Sequence, residues 1–291
     1  MKNPAKHFIT FGDGSRQHWA AGRRLAQQAK KCGGFKTVEC FDWQRICREF
    51  PYFARRYGHL PRQYYRGFGY WIWKALIIGN RLEFLPQEEI LVYADAGCEL
   101  DRFNKADYPS WFGIMDRADV VALVLEKHYT GRVWTNSFMR NSLPWAEKFI
   151  EEPQIATTVL SFRNVKSVRD LVTEWGKLCL HKDAELMIDR PSLGEDPIYR
   201  EHRHDQALFS LLTYRAAAQK QINLKLWSPV DWSDPSYPLK GIRNKTGISM
   251  LRKPVWFHKI LVKAYEKYLW LMEIVCQKTP WTARAQGVAL P

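Results

Sequence analysis

Ile90-Leu-Val-Tyr-Ala-Asp-Ala-Gly-Cys-Glu99 decides how this chain of 291 residues is read. Ile90 to Tyr93 is a short apolar run of the kind that forms a buried strand, and the small residues after it make a turn. The strand delivers one carboxylate, Asp95, into that turn. In open α/β sheets ligands sit beyond the carboxyl ends of the strands, so Asp95 is aimed at a binding crevice. Ala94, Ala96 and Gly97 let a bulky phosphorylated ligand or a metal ion approach the backbone. The plainer role of such an Asp is to cap the turn with its own side chain.

Around this stretch, strands and helices alternate. Strands are predicted at His7 to Phe11, Phe35 to Phe41, Ala118 to Leu125, Ile155 to Phe162 and Ile222 to Trp227. Helices are predicted at Ser15 to Lys31, Gly69 to Asn80, Val165 to Leu180 and Asp205 to Gln219. This alternation argues for an α/β fold with a mostly parallel central sheet flanked by helices. The first strand runs into Phe11-Gly-Asp-Gly-Ser15, a tight turn with Ser15 as helix cap.

Two further motifs carry chemistry. In Arg66-Gly-Phe-Gly-Tyr-Trp-Ile-Trp-Lys-Ala-Leu-Ile-Ile78, two glycines break the chain before an aromatic segment with helical spacing. Lys74 is set among Phe68, Tyr70, Trp71 and Trp73, where an ammonium group can meet a diphosphate or a sugar hydroxyl as a compact charge. The alternative is a helix packed by its tryptophans, with Lys74 reaching out to solvent. In Glu201-His-Arg-His-Asp-Gln-Ala-Leu-Phe-Ser-Leu-Leu212, titratable groups from His202 to Asp205 precede Gln206 and an apolar helical run. Asp205 falls in the first turn, where the helix dipole favours a carboxylate. A plain cap needs no flanking histidines, and so dense a group of titratable side chains is a functional candidate.

Gly-Phe-Gly-Tyr-Trp-Ile-Trp-Lys, Val-Tyr-Ala-Asp-Ala-Gly-Cys and His-Arg-His-Asp-Gln-Ala-Leu-Phe-Ser-Leu-Leu resemble, in that order, a group of bacterial polysaccharide-synthesis glycosyltransferases similar to the nucleotide-sugar transferases of the GT-A fold. The resemblance spans residues 7 to 245. It implies a GT-A-like catalytic domain over 1–245, a nucleotide-diphosphate sugar donor (a UDP-sugar favoured) and a glycan or glycolipid acceptor. It implies a hexosyltransferase-like enzyme of surface polysaccharide synthesis. By this resemblance Phe11, Gly12, Trp73, Lys74, Asp95, Ala96 and Gly97 bind the donor. Asp205, Gln206 and His204 carry the chemistry, and the Asp-Gln pair suggests retention of configuration. A divalent metal, Mn²⁺ or Mg²⁺, is expected on Asp95 and His202. The chain departs from the Asp-x-Asp pattern by placing Gly97 where the second carboxylate belongs. One Asp plus diphosphate oxygens, with Glu99 or a histidine assisting, is the ligand set that remains.

Composition agrees with this class. The chain is 46% hydrophobic, enough for a substantial core. Its 44 basic residues against 30 acidic leave a net charge of +14, which predicts an anionic partner. Lys240-Gly-Ile-Arg-Asn-Lys245, after the Pro-rich stretch 229–238, is a basic loop whose Arg243 and Lys245 are candidates to stabilise a departing diphosphate. Residues 246–291 are expected to form a basic amphipathic helical appendage. Within it, 252–281 combines an apolar stripe with Lys259, Lys263 and Lys267, so it either lies on an anionic membrane surface or docks on the catalytic domain. No stretch has the apolar length of a membrane span, and the N-terminus is not a signal peptide. Six cysteines without a paired spacing are read as reduced, which places the protein in the cytoplasm, peripheral to the inner face of the membrane.

Three rival classes remain. The basic charge and many aromatics would suit a nucleic-acid-binding protein, but no such motif is present and nucleic acid is not an expected partner. A metal-dependent hydrolase built on His202, His204 and Asp205 lacks a second histidine–carboxylate cluster. A non-catalytic nucleotide-sugar-binding relative would share the same binding residues.

Overall fold

The computed structural model describes residues 3–100, 108–189, 194–227 and 239–249. The chain divides into two units, Met1–Gly247 and Ile248–Pro291. The expected appendage beyond residue 249, with its helix over 252–281, and the Pro-rich stretch 229–238 lie outside the described residues.

Eight strands are described: β1 Lys6–Phe11, β2 Thr37–Phe41, β3 Ile90–Ala94, β4 Glu99–Leu100, β5 Val120–Val124, β6 Ile155–Arg163, β7 Leu224–Trp227 and β8 Leu239–Lys240. Six form the main sheet in the order β2-β1-β3-β6-β5-β7, and β4 pairs with β8 in a small second sheet. Within the main sheet only β6 runs against the others. The mostly parallel α/β sheet expected from the sequence is therefore present. Alternate residues of each strand point to opposite faces. Ile9, Leu91, Tyr93, Ala122, Leu160 and Phe162 enter one apolar core, while Phe8, Ile90, Val92, Val121, Leu123 and Val159 enter the other.

Four long helices cover those faces: α1 Arg16–Cys32, α2 Trp73–Phe84, α3 Lys166–Cys179 and α4 His204–Ala218. Helix α1 starts where Ser15 Oγ accepts a hydrogen bond from the His18 backbone N–H and stops at Gly33, whose φ of 78° is left-handed. It buries Ala21, Leu25 and Ala29, one apolar stripe, towards the face shared by Leu25, Phe8 and Val92. On the other face α2 packs on α3, α3 on α4, and α4 on β6. Trp175 and Phe209, both fully buried, meet there with ring centroids 4.7 Å apart. Truncating either to Ala would cost about 3–5 kcal/mol by transfer and cavity terms.

The aromatic segment departs from the sequence reading. The helix expected over Gly69 to Asn80 begins at Trp73 and continues through Gly79 to Phe84. Before it, Gly67, Phe68, Gly69, Tyr70 and Trp71 have φ of 59°, 53°, 84°, 56° and 58°, one turn of left-handed helix. Each non-glycine residue there costs roughly 1–2 kcal/mol through its Cβ. Compensation is local: Gly69 N–H donates to the Tyr64 carbonyl, Tyr70 N–H to Arg66, and Trp71 N–H to Gly67. Gly69 also lies so near Pro61 that a Cβ would come within 3.0 Å of its nitrogen. Periodicity reports spacing and not handedness, so the pattern alone pointed to an ordinary helix.

Among the described residues no helix is long and apolar enough to cross a membrane. The five described cysteines, Cys32, Cys40, Cys47, Cys98 and Cys179, are free.

Candidate active site at the carboxyl end of β3

Three residues far apart in sequence meet beyond the end of β3. Lys74 Nζ lies 3.3 Å from Asp95 Oδ1 and 3.0 Å from Asp205 Oδ2. Each arrives from a different element: Asp95 from the turn after β3, Lys74 from the first turn of α2, Asp205 from the first turn of α4. Thr157 of β6 joins them. Its hydroxyl donates to Asp205 Oδ2 at 3.0 Å, and its Oγ1 and carbonyl oxygen accept from Lys74 at 3.2 and 3.3 Å. Tyr93 donates its phenol proton to Asp95 Oδ1 at 2.5 Å.

Burial divides the roles. The Lys74 side chain is 1% exposed and that of Asp205 is 4%, whereas Asp95 is 30% exposed. Asp95 is thus the more open carboxylate, and Asp205 stands behind Lys74. Burial pushes the Lys74 pKa down, but the charges of Asp205 and Asp95 outweigh it and the net shift is upward, so the ammonium is held charged. Burial raises the Asp205 carboxyl, and Lys74 and the Thr157 hydroxyl pull it back. Burial, then Asp95, raises Tyr93 well above its ordinary value, which keeps the phenol a donor.

The basic loop runs beside the Asp95 turn. Gly97 lies so close to the basic loop that a Cβ on it would come within 3.3 Å of the Arg243 Cα. The Gly97 carbonyl accepts from Asn244 N–H at 2.9 Å. Arg243 and Lys245 are exposed there, with Arg243 in the left-handed region at φ 54°. Arg24, from α1, ties the two segments together. Its guanidinium donates to the carbonyls of Ala96 and Cys98 on one side, at 3.0 and 2.7 Å, and of Asn244 and Thr246 on the other. His18 belongs to the same surface: burial and then Lys245 lower its pKa, and Asp95 opposes them. Arg203 is lowered by burial, raised by Glu201, and lowered again by Arg66 and Arg243.

The two histidines of the third motif lie inside. His202 donates Nε2–H to the Leu186 carbonyl at 2.9 Å and accepts at Nδ1 from Asn136 N–H at 3.5 Å. Burial holds its pKa at about 4. His204 donates Nδ1–H to the Met187 carbonyl at 2.6 Å and stacks on Tyr70 of the left-handed turn at 4.3 Å. Its pKa is held at about 2, by burial first and His202 second, so Nε2 keeps a buried lone pair 3.8 Å from Asp189 Oδ1. Gln206 is half-buried and donates to Gln154 Oε1 at 2.7 Å. Phe11 and Trp73 are buried and stacked on each other at 3.8 Å. Gly12 serves close packing, because a Cβ would come within 2.9 Å of the Gly22 Cα on α1. Ala96 is buried and lends its carbonyl to Arg24.

The donor set for a divalent cation is thin. Both ring nitrogens of His202 face backbone groups. Glu99 is fully buried and accepts from Gln28 at 3.0 Å and Asn244 at 2.5 Å. Asp95 shares its Oδ1 with an ammonium and a phenol. Among the described residues no group of three or more His, Cys, Asp and Glu is placed to hold a metal ion. Among the described residues, this donor set does not fit a divalent metal.

Sequence reasoning passed over Thr157, Arg24 and His18. Thr157 carries no signal in an apolar strand. Arg24 does, since it interrupts the stripe of Ala21, Leu25, Gln28 and Ala29 with a charge, and a charge on a buried stripe needs partners.

No family model matches the chain, and no curated protein matches it. Among solved structures the chain is similar to mouse xyloside xylosyltransferase 1 in its apo form, at 10% identity and a TM-score of 0.39 over 77% of this chain and 85% of that one. It is also similar to a glycosyltransferase involved in glycosylation of the major capsid of PBCV-1, at 12% identity and a TM-score of 0.35 over 68% of this chain and 81% of that one.

Proposed function

We propose that the protein is a glycosyltransferase that moves a sugar from a nucleotide-diphosphate sugar to a glycan or glycolipid acceptor in bacterial surface polysaccharide synthesis. The observation that supports this best is the meeting of Lys74, Asp95 and Asp205, one from each motif, at the carboxyl end of the central strand. A half-open carboxylate beside exposed cations suits a donor with sugar hydroxyls at one end and a diphosphate at the other. Asp95 accepts hydrogen bonds from the donor's sugar hydroxyls, while Arg243 and Lys245 face the diphosphate. Lys74 holds Asp95 in place and is itself held by Asp205 and Thr157. In the reaction the anomeric C–O bond to the diphosphate breaks and the acceptor oxygen forms the glycosidic bond. The hydroxyl proton passes to the departing diphosphate. Charge grows on that diphosphate in the transition state, where preset cations stabilise it most. The resemblance of the Asp205-Gln206 pair to that of retaining transferases makes retention the expected stereochemistry, and a UDP-sugar is the favoured donor.

A thermal-shift panel of nucleoside diphosphates and their sugars tests the reading. A ligand that binds only the folded state must raise the melting temperature. A shift with one nucleotide sugar, lost in Asp95→Ala, supports the site and names the donor. Asp205→Asn should then lose turnover while keeping nucleotide binding. A flat panel with every nucleotide would sink the proposal.

A further inference from the structure

The fit between this site and a divalent cation fails in a way that says what replaces it. A metal site gathers carboxylates, so that the local charge before binding is negative. Around Asp95 the balance runs the other way. The basic loop brings Arg243 and Lys245 beside the Asp95 turn, and Lys74 already neutralises Asp95 from within. Where a second carboxylate of an Asp-x-Asp pair would project, Gly97 instead admits the Arg243 backbone. A side chain at this position would crowd the loop backbone, so the missing acid and the close basic loop go together.

The loop is also fixed rather than merely near. Arg24 bridges the Ala96 and Cys98 carbonyls to those of Asn244 and Thr246. Asn244 donates to Glu99, and β4 pairs with β8 directly before the loop. Bridging four carbonyls suits a planar guanidinium, which presents several donors in fixed directions as an ammonium does not. Arg243 and Lys245 themselves form no ion pair with an acid among the described residues.

We propose that the site grips the donor diphosphate with Arg243 and Lys245, set over the Asp95 turn by Arg24, in place of a divalent metal. This rests on the glycosyl-transfer reading and adds how the donor is held. Arg24 is a positioning residue, since its guanidinium is spent on backbone.

Calorimetric titration of the full chain with UDP, ADP, GDP and CDP, in EDTA and then in Mn²⁺, tests it, together with a Mn²⁺ titration followed by electron paramagnetic resonance. At least one nucleoside diphosphate should bind in EDTA with the affinity it shows in Mn²⁺, and no bound Mn²⁺ should appear with or without it. Arg243→Ala with Lys245→Ala should weaken that binding roughly tenfold or more, the loss that goes with charge-assisted contacts. These side chains are exposed, so folding is spared. Arg24→Lys should weaken it comparably and add little on top of the double variant, a non-additivity that general destabilisation would not produce. Binding that needs Mn²⁺, with one bound ion lost in Asp95→Ala, overturns the clamp and leaves glycosyl transfer standing. No binding by any nucleoside diphosphate in either buffer overturns both.

Discussion

Replacing Lys74 with Met removes the charge at the centre of the site while keeping most of the volume. At 3.0 and 3.3 Å from its two carboxylates, and with an effective dielectric near ~20, each attraction is about 5 kcal/mol before desolvation. Desolvating the ammonium offsets much of that in the wild type. In the variant Asp205 keeps its own desolvation with only Thr157 to hold it, so the net loss should be about 3–5 kcal/mol at pH 7. That is a large share of an ordinary stability, on the order of 6–20 °C in Tm. The pH dependence carries the sign. Lys74 has a raised pKa, so it is charged at pH 7 and below, and its contribution lasts while its carboxylate partners are ionised. Asp205 is raised by burial already, and without Lys74 it rises further; the cost of ionising it is then relieved as pH falls and the carboxyl protonates. Urea unfolding of both proteins at pH 7 and pH 5 should show the gap between them narrowing at the lower pH. Asp205→Asn in the Lys74→Met background should recover much of the loss. A loss below about 1 kcal/mol, or additive effects in the double variant, would refute the buried-triad account.

Further predictions follow from other parts of the site. Gly69→Ala should cost about 1–3 kcal/mol in chemical denaturation, because φ is 84° and Pro61 leaves no room for the methyl group; unchanged stability would mean the left-handed turn is not held in solution. Gly97→Asp, which recreates an Asp-x-Asp spacing, should gain no Mn²⁺ affinity by electron paramagnetic resonance and should lose stability as its side chain displaces the Arg243 backbone. Burial holds His202 near pKa 4 and His204 near 2, against an ordinary value of 6.5. The unfolded chain therefore takes up protons below about pH 6.5 that the folded chain refuses, and stability should fall by about 2 kcal/mol per histidine at pH 5. His202→Gln should flatten that slope in urea unfolding between pH 7 and 5, and an unaltered slope would move the titration elsewhere.

The α/β class was legible because strand and helix patterns depend on the period of apolar residues, which local sequence carries. Ends of β1, α1, α3 and α4 differ from the expectation by one or two residues, and helix ends fray by as much. Lys74, Asp95 and Asp205 were found as separate candidates because each is a charge where an apolar stretch begins or ends. Their contact was not legible, since it closes loops of many residues between three elements. Phe11, Gly12 and Trp73, donor-binding positions by resemblance, are packed in the structure, with Phe11 against Trp73 and Gly12 against α1.

By itself, then, the sequence determined which faces are apolar, where the sheet strands lie and which charged groups stand at element ends, because these follow from local composition and periodicity. Tertiary structure alone decided that residues 67–71 wind left-handed, that His202 turns its nitrogens to backbone, and that Arg24 crosses from α1 to hold the basic loop over Gly97. Those outcomes depend on which backbone carbonyls and rings come within reach after the chain has closed on itself, and no local pattern records that.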